Sequence, residues 1–308
     1  MYSNNRFIRP FIFYLFACCS LLLSLSANAI ERVTALPDMG TGDARQVYFA
    51  KLLRAALATT EDEFGPYELV KPDFHMSSQR MMMELLTGDN LSVGLSPYKI
   101  AWEDKTHIVP VPLIRGLASY RLFLASKKSE KKLAQIQHLN DLRLLKIGQG
   151  QGWSTAKILT DHKLPIVYAA SYRGMFKMLE ADRFDLLMRS PHEIISEKDI
   201  FSSAESNITI EKRFAIYSYL PYYFHVTPKN RVLAKRLEQG IKSLYASGEV
   251  DNLLTEHFDE AIKLVLMPHK KIFYLENTNL PQGIFERDQP YLMTLEIPKT
   301  PISRNSSP

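Results

Sequence analysis

The chain has 308 residues, 46% of them hydrophobic and 23% charged, with a formal net charge of +5 and only two cysteines. That length and apolar content suffice to bury a core without covalent staples, in one large domain or two smaller lobes. The mild positive charge comes with no basic patch interleaved with aromatics, which argues against a nucleic-acid binder.

In chain order, the first segment reads as a secretory signal. Arg6 and Arg9 form a basic start, an apolar run continues to Leu25, and "ANA" supplies small residues before a cut expected after Ala29. The competing readings are an uncleaved anchor helix and lipoprotein processing at Cys18, which would split the apolar run. Cleavage after Ala29 removes Cys18 and Cys19 and both arginines, leaving a cysteine-free chain with net charge +3. Such a chain has no disulfide, no thiol nucleophile and no cysteine-ligated metal. No later segment is long and apolar enough to cross a membrane. The expected location is the bacterial periplasm or exterior.

Strands and helices then alternate. "RVTAL" reads as a short strand, and "ARQVYFAKLLRAALATT" as an amphipathic helix with Val47, Ala50, Leu53 and Leu57 on one stripe. "YELVKPDF" alternates as a second strand. "SSQRMMMELLTG" reads as a helix from a serine cap to a stop at Gly88. "NLSVGLS" is a third strand, "THIVPVPLI" is extended and broken by proline, and "SYRLFLAS" is a strand. "KKSEKKLAQIQHLNDL" reads as charged and helical at its end, its lysines a solvated face. The pattern repeats through "LLKIGQG", "STAKILTDH", "PIVYAAS", "YRGMFKMLEADR" (Met175, Met178 and Leu179 inward), "FDLLMRS" and "PHEIISEKD", whose proline suits a first helical turn. Strands spaced by helices predict βαβ units and an α/β class. From Asn207, "ITIEKRFAIY" and "LPYYFHVTP" read as strands. "NRVLAKRLEQGIKSLYASGEVDNLLTEHFD" reads as two helices broken at Gly248, and the tail from Ile272 as proline-rich and irregular.

The stretch "KIGQGQGWSTAKIL" raises the question of chemistry. A phosphate loop needs a Lys-Ser/Thr pair after its last glycine, and Trp153 stands there instead. The even glycine spacing does not match a dinucleotide fingerprint. No nucleophile elbow and no Ser-His-Asp order is readable. The eight histidines show no metal-ligand spacing, so neither a metal nor a cofactor is expected.

The segment from Lys146 to Glu197 resembles the second lobe of type II periplasmic solute-binding proteins of the family-3, amino-acid-binding kind. The carriers are "KIGQGQGWSTAKIL" and "IVYAASYRGMFKMLEADRFDLLM". "YYFHVTPKNRVLAKRLEQGIKSLYASGEVDNLLTEHF" is similar to that family's closing pattern of a return strand and two helices about a "GEV"-like turn. The resemblance spans roughly Glu31 to Phe258, and "GLASYRLFL" and "GQGQGW" place the chain in a divergent branch. It implies a two-lobed α/β fold with a hinge and an interlobe cleft. The expected organisation is a signal peptide over 1–29, first lobe over 30–126, inserted second lobe over 127–219, return to the first lobe over 220–300, and a disordered tail over 301–308. The crossings near Ser126 and Tyr222 would serve as hinge.

The resemblance also implies where a ligand sits. Glycines such as Gly152 let backbone approach it closely. Ser154 and Thr155 stand at a helix N-terminus, which favours an anion, although Ser154 also suits a plain cap. Trp153 either stacks on ligand or packs in the lobe. Ser190 occupies the position where the family carries an ammonium-binding aspartate, with Arg189 just before it. Arg189 serves either a ligand carboxylate or phosphate, or an ion pair with Glu193 or Glu197. The family's carboxylate-clamping arginine after a Thr-Pro-Glu run is missing from "LSPYKIAWEDKTHIVPV" here, leaving Lys99, Arg115 and Arg121 as substitutes. Tyr98, Trp102 and Tyr120 are candidate apolar walls or plain core, and Asp38 and Thr41 follow the first strand. The function expected is a monomeric extracytoplasmic solute-binding protein, without catalysis, closing on a small polar, carboxylate-bearing solute such as an amino acid or organic acid. A membrane permease or sensor is the expected partner. The alternatives are a dehydratase-like or hydrolytic enzyme on the same fold, and a ligand-sensing partner of a membrane signalling protein.

Overall fold

The structure is a computed structural model that describes residues 30–35, 44–72, 78–203 and 206–293. The expected signal segment and the end of the chain from 294 lie outside them.

Strand β1 (Glu31–Thr34) leads to helix α1 (Ala44–Ala58), the short helix α2 (Glu61–Phe64) and strand β2 (Tyr67–Val70). Helix α1 buries Tyr48, Phe49, Leu52, Leu53, Ala56 and Leu57, whereas Val47 is 48% exposed. The stripe is therefore rotated from the one expected through Val47. The rings of Tyr48 and Phe49 lie 5.1 Å apart, and Tyr48 also sits 5.1 Å from the ring of Phe258. Burying two large aromatics removes more apolar area from water than burying one valine, and that sets the helix's rotation. Helix α3 (Ser78–Thr87) ends where Gly88, at φ +67°, returns its N–H to the Glu84 carbonyl at 2.9 Å.

Strands β3 (Val93–Pro97), β4 (His107–Ile108) and β5 (Tyr120–Ser126) follow. The stretch expected to be extended around "THIVPVPLI" forms only two strand residues, since its prolines cannot donate to a ladder. The lysine-rich segment gives a single 3-10 turn over Lys127–Ser129, a four-residue helix, α4 (Glu130–Leu133), and, at the end expected to be helical, a 3-10 helix over Leu139–Leu144. The repeating part supplies β6 (Ile147–Gly150), α5 (Ser154–Asp161), β7 (Ile166–Ala169), α6 (Tyr172–Glu180), β8 (Leu186–Arg189) and α7 (Pro191–Phe201). Then come β9 (Ile208–Tyr217), β10 (Tyr222–Val226), α8 (Arg231–Ser247), α9 (Glu249–Val265), β11 (Lys271–Tyr274) and α10 (Ile284–Asp288).

Two sheets result. In the first, β1 pairs with β2 in parallel, and β10 lies antiparallel between β3 and β4. A parallel bridge from Ala35 to Val93 joins β1 to β3, so the sheet reads β2-β1-β3-β10-β4. The second sheet has six strands in the order β11-β9-β5-β8-β6-β7. Its β6-β7 and β6-β8 pairs are parallel, as the βαβ reading requires, whereas β5 runs antiparallel to both β8 and β9. The chain passes from the first sheet to the second through β5 and back through β9 and β10.

The helices divide between the faces of the second sheet. One apolar cluster runs from α1, α8 and α9 of the first lobe into the α6 and α7 side of this sheet, through Met175, Phe176, Leu179, Phe184, Leu187 and Ile194. A separate cluster lies between the other face and α5, built on Phe123, Ile147, Ile158, Leu159, Met188 and Phe214. Each such side chain contributes roughly 1.5–3 kcal/mol of burial free energy.

The tail departs from the irregular segment expected after Ile272. Strand β11 pairs in parallel with β9, and Leu275 and Asp288 are buried. Its strand-forming residues (Ile272, Phe273 and Tyr274) find an open sheet edge, which no short-range pattern announces.

Candidate functional site

The sequence-predicted residues of the second lobe converge at one end of the six-stranded sheet. There β6 turns into α5, β8 turns into α7, and β5 enters from the first lobe.

The three glycines of "GQGQGW" have separate physical reasons. A Cβ on Gly148 would lie 2.4 Å from the Phe184 ring, and one on Gly150 would lie 2.3 Å from the Trp153 indole. Both positions admit only hydrogen. Gly152 adopts φ +75° with open space beside it, so there the backbone conformation demands glycine. Trp153 is the residue before α5 and folds back over Gly150. Ser154 is thus the first helical residue rather than the cap, and its carbonyl accepts a bond from Asn279 Nδ2 at 3.2 Å. Thr155 is buried and donates its hydroxyl to Gln149 Oε1 at 2.7 Å.

Arg189, at the end of β8, is 3% exposed. It donates through Nε and Nη2 to the two carboxylate oxygens of Glu197, and Nη2 also lies 3.2 Å from Glu193. Its guanidinium carbon stands 4.8 Å from the Trp153 ring centroid and 5.7 Å from that of Tyr172, whose hydroxyl donates to Glu197. Glu193 sits three residues after Ser190 and accepts the Ser190 N–H at 2.9 Å, as the Ser-x-x-Glu spacing at a helix start allows. Arg45, from the start of α1 in the other lobe, donates to Glu193 at 2.6 Å and stands 3.9 Å from Glu197. The ion cluster therefore joins α1 to α7. Burial opposes the charges on Arg189 and Glu193. Their mutual attraction outweighs it, holding the guanidinium above its ordinary range and the Glu193 carboxyl well below the usual carboxylate range.

Arg121, near the start of β5, is the under-satisfied member. It is 4% exposed, donates Nη1 to the Ala118 carbonyl at 3.2 Å, and reaches no closer than 4.0 Å to Glu193. Its Nε has no hydrogen-bond partner, and neither do Gln149 Nε2, Ser190 Oγ and Ser218 Oγ. Burial lowers the Arg121 pKa, with Glu193 only partly offsetting it. A cavity of about 10 Å³, room for a single water, lies among Arg121, Thr155, Met188, Ser218 and Leu275.

The remaining candidates lie elsewhere. Trp102 packs in a small cluster with Met81, Met82, Leu85 and Leu91, edge-on to His225 at 4.9 Å. Lys99 stands 5.2 Å from the Trp102 ring. Tyr98 is buried against Tyr223, and Tyr120 lies edge-on to Tyr217 at 4.9 Å. Arg115 pairs with Asp251 on the first lobe and faces Tyr245. Asp38 and Thr41 lie outside the described residues. Sequence reasoning missed Arg45 and Tyr172. Arg45 carries no local signal, and only the meeting of α1 with α7 makes it part of the cluster.

No protein-family model matches the chain, and no curated protein matches it. Solved structures do match in fold. An ancestral arginine-binding protein bound to arginine shares 15% identity at a TM-score of 0.53, covering 74% of this chain and 98% of its own. A Salmonella typhimurium periplasmic binding protein, described for its high arginine specificity, shares 14% identity at a TM-score of 0.53, with coverage of 74% and 99%. A histidine kinase sensor domain with similarity to periplasmic binding proteins gives 14%, a TM-score of 0.52, and coverage of 74% and 96%. Among the described residues no helix is long and apolar enough to cross a membrane. The strand order and these likenesses agree: the chain has the two-lobed α/β fold of type II periplasmic solute-binding proteins.

Proposed function

We propose that this chain is an extracytoplasmic solute-binding protein that takes a small, carboxylate-bearing polar solute between its lobes, for a transport or sensing system. One observation carries the reading. Among the described residues, the guanidiniums of Arg45, Arg121 and Arg189 converge on the carboxylates of Glu193 and Glu197, and the buried Arg121 is held least closely, 4.0 Å from Glu193 and with a free Nε. A buried charge that is only weakly paired is costly, and an incoming anion relieves that cost. Arg121 is the preferred contact for the anion, because Arg189 already spends two donors on Glu197.

Residues 30–126 and 220–300 form the first lobe in this reading and 127–219 the inserted second, hinged near Ser126 and Tyr222. The protein acts as a monomer in the periplasm after cleavage near Ala29. Glu193 and Glu197 are both engaged by arginines, an arrangement for binding rather than for moving protons. The likeness to a kinase sensor domain supports a sensing partner as the second reading beside a permease.

A thermal-shift screen of amino acids, organic acids and short peptides tests this, since a ligand at a hundred times its Kd adds about 2.7 kcal/mol. Titration of the best hit into Arg121→Ala is expected to weaken binding ten- to a hundred-fold, as loss of a charge-assisted bond of about 1.5–3 kcal/mol implies. A cationic best ligand, or undiminished affinity in Arg121→Ala, overturns the reading.

A further inference from the structure

The two lobes are joined a third time, by the segment after α9, and the contacts lie on both sides of the crossing strands. On the second lobe, β11 pairs with β9, and the Leu275 N–H donates to the Tyr217 carbonyl at 2.9 Å. Thr278 donates to Asp161, and Asn279 to the Ser154 carbonyl in the first turn of α5. Toward the first lobe, the buried Asp288 accepts from the hydroxyl of Tyr223, in β10, and from that of Tyr219 at the crossing itself. Farther on, the Met293 N–H donates to the Arg115 carbonyl at 3.0 Å. Four aromatics of the segment each meet a partner ring: Phe273 on Phe214 at 6.0 Å, Tyr274 on Tyr217 at 5.5 Å, Phe285 on Tyr219 at 5.1 Å, and Tyr291 on Tyr245 at 4.9 Å.

We infer that residues 271–293 are a strap that ties the second lobe to the first across the crossing strands and limits how far the lobes separate. The slack between its anchors is short. Only Leu280, Pro281, Gln282 and Gly283 lie between Asn279 and α10, and four extended residues span at most about 14 Å. Opening beyond that slack breaks either the Asn279–Ser154 bond or the Asp288–tyrosine bonds. Asp288 is the stronger anchor: it is buried, paired with Arg287 at 2.9 Å and accepts from two tyrosine hydroxyls that its departure would leave unpaired, whereas Asn279 is only part-buried. The strap lies beyond Phe258, where the family-like closing pattern ends. It also explains the aromatic density at the crossing, because flat rings give large contact area at low entropic cost.

The inference concerns lobe motion and does not depend on the cleft taking a solute, so it is read without one. The chain has no cysteine after Cys19. Spin labels at Glu68→Cys and Lys177→Cys, on exposed sites of the two lobes, report the interlobe distance distribution. Two changes release the strap: Asp288→Ala, and a protease site inserted between Leu280 and Pro281 and cut in the folded protein. The cut variant leaves every anchoring side chain in place, so it serves even if Asp288→Ala fails to fold. The expected result is a wider distribution with a new long-distance population in the released forms, and one narrow population in the intact chain. An unchanged distribution after complete cleavage overturns the inference, as does an intact chain already as broad as the cut one.

Discussion

The two faces of the six-stranded sheet are each covered by helix and apolar side chains, and the α7 face adds a buried ion cluster to them. On the α5 face the contacts are mostly apolar: Phe123, Ile158, Leu159, Met188 and Leu275 meet, with Arg121, Thr155 and Ser218 at the rim. On the α7 face, Arg189, Glu193 and Glu197 are buried together and reach Arg45 across the lobes. An apolar contact loses free energy in proportion to the atoms removed. A buried ion cluster has an all-or-none character, because each member is tolerable only while the others are in place.

The largest effect is expected from breaking the α7 face. Glu197→Ala leaves the buried Arg189 only Glu193, which Arg45 also engages, and should cost about 3–5 kcal/mol in denaturant unfolding. The double variant Arg189→Met/Glu197→Leu should recover most of that loss, since an apolar pair of similar volume removes the desolvation cost. If the double variant is as unstable as the single, the contrast between the faces fails. On the α5 face, Leu159→Ala should cost about 3 kcal/mol from lost transfer and the cavity left behind, and no charge change elsewhere should rescue it.

Acid sharpens the comparison with a third kind of burial, a titratable group without counter-charge. His225 is buried against Trp102 and shares a hydrogen bond with Thr106 Oγ1 at 3.1 Å. Burial, with Lys99 nearby, pushes its pKa down to about 3. The folded state refuses a proton that the unfolded chain accepts near pH 6.5, so His225 supports folding above that pH and the support falls away as pH drops toward 3. The loss should reach about 2 kcal/mol by about pH 5, and His225→Asn should abolish this limb. Glu193, held below the carboxylate range by its arginines, should add a second limb only as pH falls below the ordinary glutamate value of about 4.3. An acid-unfolding curve that His225→Asn leaves unchanged above about pH 5 would refute that assignment. The smallest effect is expected at Gly152. A side chain there meets no neighbour, so Gly152→Ala should cost only the left-handed backbone penalty of about 1 kcal/mol. A larger loss would mean that the loop moves on substitution.

Much of the fold was legible because its signals are local. Period-two and helical apolar patterns placed β5 to β8 and α5 to α7. Gly248, at φ +79°, marked the turn between α8 and α9. The glycines of "GQGQGW" announced a close approach, though not that Phe184 and Trp153 would be what approaches. At the site, "SPHE" carried the helix-start spacing that puts Glu193 on the Ser190 N–H, and Arg189 was singled out by its place after an apolar strand.

What the sequence determined by itself is each element's own periodicity and its ends, because those depend on residues within a turn or two of each other. Tertiary structure alone decided which elements meet. It turned α1 so that Tyr48 and Phe49 face inward and Arg45 reaches Glu193. It also gave β11 an edge beside β9, and Asp288 two tyrosine hydroxyls from the crossing. Those partners lie tens to hundreds of residues away, and side-chain burial and charge pairing choose among such distant contacts only once the chain has closed on itself.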